Sequence, residues 1–117
     1  MKTDGDWKPQ SDHRRLDERS LALHLLIAEK IRDNPALLER ARANVERWSA
    51  TCSGSWLEQW RAILQRSPDE IVRLITEHSE RAADLRQSTP FTGILTRHER
   101  RIVYDSYSAR TYHQSRQ

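Results

Sequence analysis

Apolar residues recur along most of this chain at intervals of three and four, the spacing that lines one face of an α-helix. From Asp17 to Asp33 they fall at Leu21, Leu25, Ala28 and Ile31, flanked by Leu23, Leu26 and Ile27. Asn34-Pro35 stops this helix and starts the next, because Asn caps well and Pro is tolerated at a first helical position. The second helix places Leu37, Leu38, Ala41, Val45 and Trp48 on one side and ends near residues 49–54. Three capping boxes follow, Ser55 with Glu58, Ser67 with Glu70 and Thr96 with Glu99. In each the hydroxyl is expected to accept a backbone N–H and the carboxylate to reach back.

The first box opens a short helix with Leu57, Trp60, Ile63 and Leu64 inward. The second opens a helix that runs on through Ile71, Leu74, Ile75, His78, Ala82 and Leu85, all expected inside. Residues 87–95 read as a loop around Thr89-Pro90 and Gly93, tucked onto the bundle by Phe91, Ile94 and Leu95. The last helix is expected from about Arg97 to Tyr107, with Ile102 and Val103 inward. No stretch alternates apolar and polar residues between hairpin turns, so no strand is expected. The fold class is all-α, a compact bundle of about five helices. Residues 1–12 read as a flexible N-terminal arm that Trp7 pins down, residues 13–108 as the helical domain and residues 109–117 as a basic tail.

Composition narrows the function classes. The 117 residues fit one domain. Apolar content of 36% against 32% charged suits thin amphipathic helices, or a core completed by a second copy in a homodimer. No apolar run approaches the ~18 residues of a membrane helix, and Met1-Lys2-Thr3-Asp4-Gly5-Asp6 lacks the apolar stretch of a secretory signal. Cys52 stands alone, which excludes an internal disulfide and a thiolate metal cage and points to a reducing cytoplasm. Arginines number 17 against three lysines. Up to Thr96 acids and bases balance, so the net charge of +3 resides in the last 21 residues. A basic end of this kind attracts nucleic acid or an acidic protein face.

Catalytic chemistry finds little support. The five histidines are too far apart in sequence for an i, i+4 metal pair, so no metal site is assigned. Cys52 has only the nearby start of the third helix to activate it. No Gly-rich phosphate cradle exists, and the paired acids of first turns serve the helix dipole. No cofactor and no enzymatic activity are expected. Two surfaces remain for a macromolecular partner. The first is the loop set Arg86, Gln87, Ser88, Thr89 and Phe91; Trp48, Trp56 and Trp60 are expected to cement the hairpin of the second and third helices, with Trp56 as an exposed partner anchor the alternative. The second is the basic last helix, where Arg97, Arg100 and Arg101 would meet phosphates while Tyr104 and Tyr107 stack on bases of DNA or RNA. A helix-turn-helix at Gln65–Pro68 is disfavoured, because Asp69 and Glu70 stand where phosphates would lie.

The words Ser20-Leu21-Ala22-Leu23-His24, Ala28-Glu29-Lys30, Asn34-Pro35, Arg40-Ala41-Arg42-Ala43-Asn44 and Arg47-Trp48, with the stretch from Leu85 to Leu95, carry a resemblance. Over about residues 20–103 the chain resembles a group of small, mostly uncharacterised bacterial all-helical proteins that are antitoxin-like partners in toxin–antitoxin operons. The resemblance implies a module that neutralises a toxin by direct binding, and it assigns no role to any single residue. The chain departs from the group at Arg97-His98-Glu99-Arg100-Arg101 and the Tyr/Ser/Arg tail.

Overall fold

A computed structural model describes residues 9–111, with side chains from Asp12 onward. Trp7 and the rest of residues 1–8, and residues 112–117 of the expected tail, lie outside the described part. The described residues form an all-α bundle without strands: α1 (Pro9–Asp33), a single 3-10 turn (Pro35–Leu37), α2 (Leu38–Ser49), α3 (Ser55–Ile63), α4 (Pro68–Ile75), α5 (Glu80–Gln87) and α6 (Arg97–Ser106). Seven helical elements therefore stand where about five were expected. No helix among the described residues is long and apolar enough to cross a membrane.

The extra elements have local causes. The Asn34 side chain accepts the Ala36 N–H, but Pro35 opens a tight 3-10 turn before α2. The expected fourth helix breaks at 76–79. There the Thr76 hydroxyl donates back to the Val72 carbonyl and the Ser79 hydroxyl accepts the Ala82 N–H, ending α4 and capping α5. The face through Ile71, Ile75, Ala82 and Leu85 continues across this break in the right phase, so hydrophobic spacing conceals it. His78, expected inside, sits in the break and is exposed. α1 starts at Pro9, within the segment expected to be an arm.

Two of the three capping boxes form as expected, at Ser67/Glu70 and Thr96/Glu99. The third does not. Gly54 is the residue that caps α3, at φ 149°, and Ser55 makes no capping bond. A side chain at Gly54 would lie 2.9 Å from the Trp56 indole, so the glycine lets the ring fold back over the helix start.

α1 is the spine. Its buried face is His24, Ile27, Ala28 and Ile31, while Leu25, expected on that face, is 47% exposed. α4, α5 and α6 pack along it, and the α2–α3 hairpin closes the far side of the core. Trp60 and Phe91 are buried at the centre with ring centroids 5.7 Å apart, edge to face. α6 lies on α1 through Val103, whereas Ile102, expected inward, is 52% exposed.

Candidate functional site

The segment from Ser88 to Leu95 is the least regular part of the chain and also among the best tethered. Asn44 of α2 donates through Nδ2 to the carbonyls of Pro90 at 2.8 Å and Thr92 at 3.2 Å. Arg40 donates to the Gly93 carbonyl, and Trp60 Nε1 to the Ser88 hydroxyl. From α1, Lys30 reaches the Ile94 carbonyl and pairs with Glu99 at 2.7 Å. These bonds satisfy backbone carbonyls that a buried loop would otherwise leave unpaired. Phe91, Ile94 and Leu95 are buried, as the loop pattern implied.

His24 is the tether on the groove side. Its Nδ1 lies 2.7 Å from the Ser20 carbonyl, which can only accept, so Nδ1 carries the proton. Nε2, 2.9 Å from Thr89 Oγ1, then accepts the threonine proton, and the same oxygen accepts the Phe91 N–H. Burial pushes the His24 pKa down to about 4; the Ser20 bond opposes this and the Arg86 charge adds to it. His24 is thus a neutral internal strut.

This strut forms the floor of a furrow between α1, the loop and α6. One part, about 480 Å³, runs between the first half of α1 and the end of α5, past Leu16, Asp17, Arg86 and Gln87. The next, about 200 Å³, lies over Phe91 and Leu95. They share Leu23, His24, Thr89 and Tyr104, and a third hollow beyond Tyr104 is lined by Arg97, Arg100, Arg101 and Asp105. Tyr104 is 47% exposed, with the Arg19 guanidinium 4.6 Å from its ring centroid.

Parts of the two surfaces read from the sequence meet in this furrow, Arg86, Gln87, Thr89 and Phe91 from the first and Arg97, Arg100, Arg101 and Tyr104 from the second, whereas Trp56, Ser88 and Tyr107 do not line it. Arg97, Arg100 and Arg101 are exposed and make no ion pair among the described residues. Tyr107 is half-buried, and its carbonyl accepts a bond from Arg15. Of the loop set, Ser88, Thr89 and Phe91 are engaged internally, and Gln87 alone is exposed. Arg86 is only 5% exposed, and its Nη1 donates to the carbonyls of Ile75 and Glu77 at the open end of α4. Burial pulls its pKa down, against the neighbouring charges of Asp17 and Glu77. Trp56 is half-buried 6.1 Å from Trp48, beside a separate shallow cup with exposed Cys52.

Sequence reasoning missed His24, Arg19, Leu23 and Asn44. For His24 a signal existed: it falls in phase with Ile27, Ala28 and Ile31. No group of His, Cys, Asp or Glu among the described residues is arranged to hold a metal ion. Comparison with protein-family models, curated proteins and solved structures found no match for this chain.

Proposed function

We propose that the chain is a non-catalytic, antitoxin-like binding module that holds a protein partner in the furrow between α1, the 88–95 loop and α6. The observation that carries this reading is the convergence of the loop and the basic helix on one groove. Its floor is rigid, through His24 and Phe91, and its rim offers Tyr104 and three arginines without ion-pair partners. A rigid floor lowers the ordering cost of binding, and aromatic and Arg side chains are the residue types that dominate binding energy. The absence of a catalytic role is supported by the groove's own chemistry. Its buried imidazole is held by both nitrogens and stays neutral, so it is a poor general base. That the partner is a toxin rests on the resemblance alone.

The test is site-specific photo-crosslinking in cells that co-express the product of the adjacent reading frame. A photoreactive residue replaces Gln87 or Arg100 in the groove, or exposed Gln59 on α3 as a control. Protein adducts at the first two positions and not at the third are expected. Adducts at all three alike, or none, would sink the proposal.

The second reading, nucleic-acid binding, draws on the stripe of Arg97, Arg100, Arg101 and Tyr104 beside one hollow. It predicts affinity that collapses between low and moderate salt, whereas an apolar protein interface hardly responds.

A further inference from the structure

Of the three tryptophans at the α2–α3 hairpin, only Trp60 has a partner for its indole N–H, the Ser88 hydroxyl. Trp48 and Trp56 are half-buried, and their Nε1–H groups neither make a hydrogen bond nor are sealed from solvent. An indole at the edge of a core normally finds an acceptor for that proton, so both donors remain available to one that arrives from outside. The ring centroids stand 6.1 Å apart with the planes tilted by 48°, which makes a wedge rather than a stack. Gly54 admits this arrangement, because a side chain there would lie 2.9 Å from the Trp56 indole.

The wedge lines a shallow cup of about 450 Å³. Exposed Cys52, Gln87 and Thr92 also line it, and the Gln87 amide and Thr92 hydroxyl are likewise without partners. Ser88 and Thr89 complete the lining, with their hydroxyls already engaged by Trp60, His24 and the Phe91 N–H. Among the described residues no charged side chain lines the cup, so it offers nothing to phosphates or carboxylates. A small molecule is covered over most of its surface in its site, which a shallow cup cannot do. A segment of chain that passes across needs only one face covered. Polyproline II suits the free donors best: its carbonyls have no internal partners, its prolines bring no N–H and their rings are apolar. Three of its residues span about 9 Å, so rings within one turn can each meet one of two indoles 6.1 Å apart. Such a segment is extended before it binds, so little further ordering is required.

We propose that the Trp48–Trp56 cup docks a proline-rich segment of a partner protein, with pyrrolidine rings against the indoles and backbone carbonyls on the two Nε1–H groups. Gln87 and Thr92 supply further hydrogen bonds to the backbone of the segment. The cup adjoins the furrow at Gln87 and Thr89, yet the proposal does not rest on the furrow reading. Arg100 lines the furrow and not the cup, and Cys52 the cup and not the furrow, so each reports on one of them alone.

The probe is an acetylated, amidated peptide of ten prolines, titrated into the full chain in its wild-type form. Two readouts are followed: the indole Nε1–H resonances by NMR, and the rate at which the single thiol, Cys52, is alkylated. The Trp48 and Trp56 resonances are expected to move downfield while that of buried Trp60 stays in place, and bound peptide should slow Cys52 alkylation severalfold. A Gly/Ser peptide of equal length should bind about tenfold more weakly, because it lacks both the rings and the preset backbone. Gln87→Ala, at an exposed position, should weaken the proline peptide severalfold and leave the melting temperature unchanged. Unmoved indole resonances, or shifts without protection of Cys52, would overturn the proposal. Equal binding of the Gly/Ser peptide would overturn it too. The same shifts and protection from a glucose tetrasaccharide would overturn it in favour of a sugar. If they arise without peptide, on raising the protein concentration alone, the occupant is a second copy of this chain and the proposal falls.

Discussion

Histidine 24 illustrates how one side chain can set a pH limit on the whole fold. Its folded-state pKa of about 4 lies below the 6.5 of an unfolded chain, chiefly because burial disfavours the imidazolium. Above pH 6.5 both states are neutral and the strut is at full strength. As the pH falls from 6.5 towards 4 the unfolded chain takes up a proton that the folded one refuses, so stability declines. Below 4 both are charged and this contribution levels off. The shift corresponds to about 3 kcal/mol. Urea unfolding at a series of pH values should show that decline, and His24→Gln should flatten it. A wild-type slope that survives the substitution would assign the effect to other groups. Little of this was legible beforehand, because the partner atom, Thr89 Oγ1, is 65 residues away. The phase of His24 among Ile27, Ala28 and Ile31 announces burial but not the bond.

At the scale of single helices, local chemistry in the sequence carried most of the answer. Ser67/Glu70 and Thr96/Glu99 are self-contained, since both partners of each bond lie within four residues. Ser55/Glu58 has the same spelling, yet Gly54 takes the cap, because its backbone admits the Trp56 ring at close range. The α4–α5 break is the reverse case. Ser79 does cap, but Ala82 stands where the box would carry an acid, and the apolar phase runs through unbroken. The two serines therefore make opposite predictions. Ser79→Ala should lower stability by about 1 kcal/mol, the usual value of a working N-cap. Ser55→Ala should change it by less than about 0.5 kcal/mol, as for an exposed residue without a structural bond. Denaturant midpoints for the pair decide the matter; equal losses would mean that Ser55 caps after all.

In the molecule as a whole, the decisive bonds run between distant segments, and these had no signature in the sequence. Asn44 is a polar residue on the buried side of α2, in phase with Ala41 and Val45, and nothing near it indicates that its amide holds Pro90 and Thr92. Asn44→Ala should cost about 2–3 kcal/mol, by leaving two carbonyls without a donor. It should also raise hydrogen exchange in the 88–95 loop before the helices. Uniform loss of protection would show that the loop is not an independent unit.

α6 poses the opposite question, because its arginines hold nothing in place. Arg97 opens the helix, where the positive end of the dipole repels a cation, and Arg100 and Arg101 follow within the next turn. Stability alone does not favour this arrangement: an acid or a neutral residue at position 97 would serve the helix better by a few tenths of a kcal/mol. Replacing Arg97, Arg100 and Arg101 together with Gln should therefore leave the unfolding free energy unchanged or slightly higher. The same triple variant should bind its partner more weakly, with the deficit largest at low salt, where unscreened rim charges speed association. If the partner is nucleic acid, the slope of log K against log salt should fall by about 2–3, roughly one unit for each lost phosphate contact. If it is a protein segment held mainly on the floor of the furrow beside Tyr104, the slope change should be small and the loss confined to the association rate. A triple variant that melts markedly lower would instead make these arginines structural, and the positive rim would lose its claim to function.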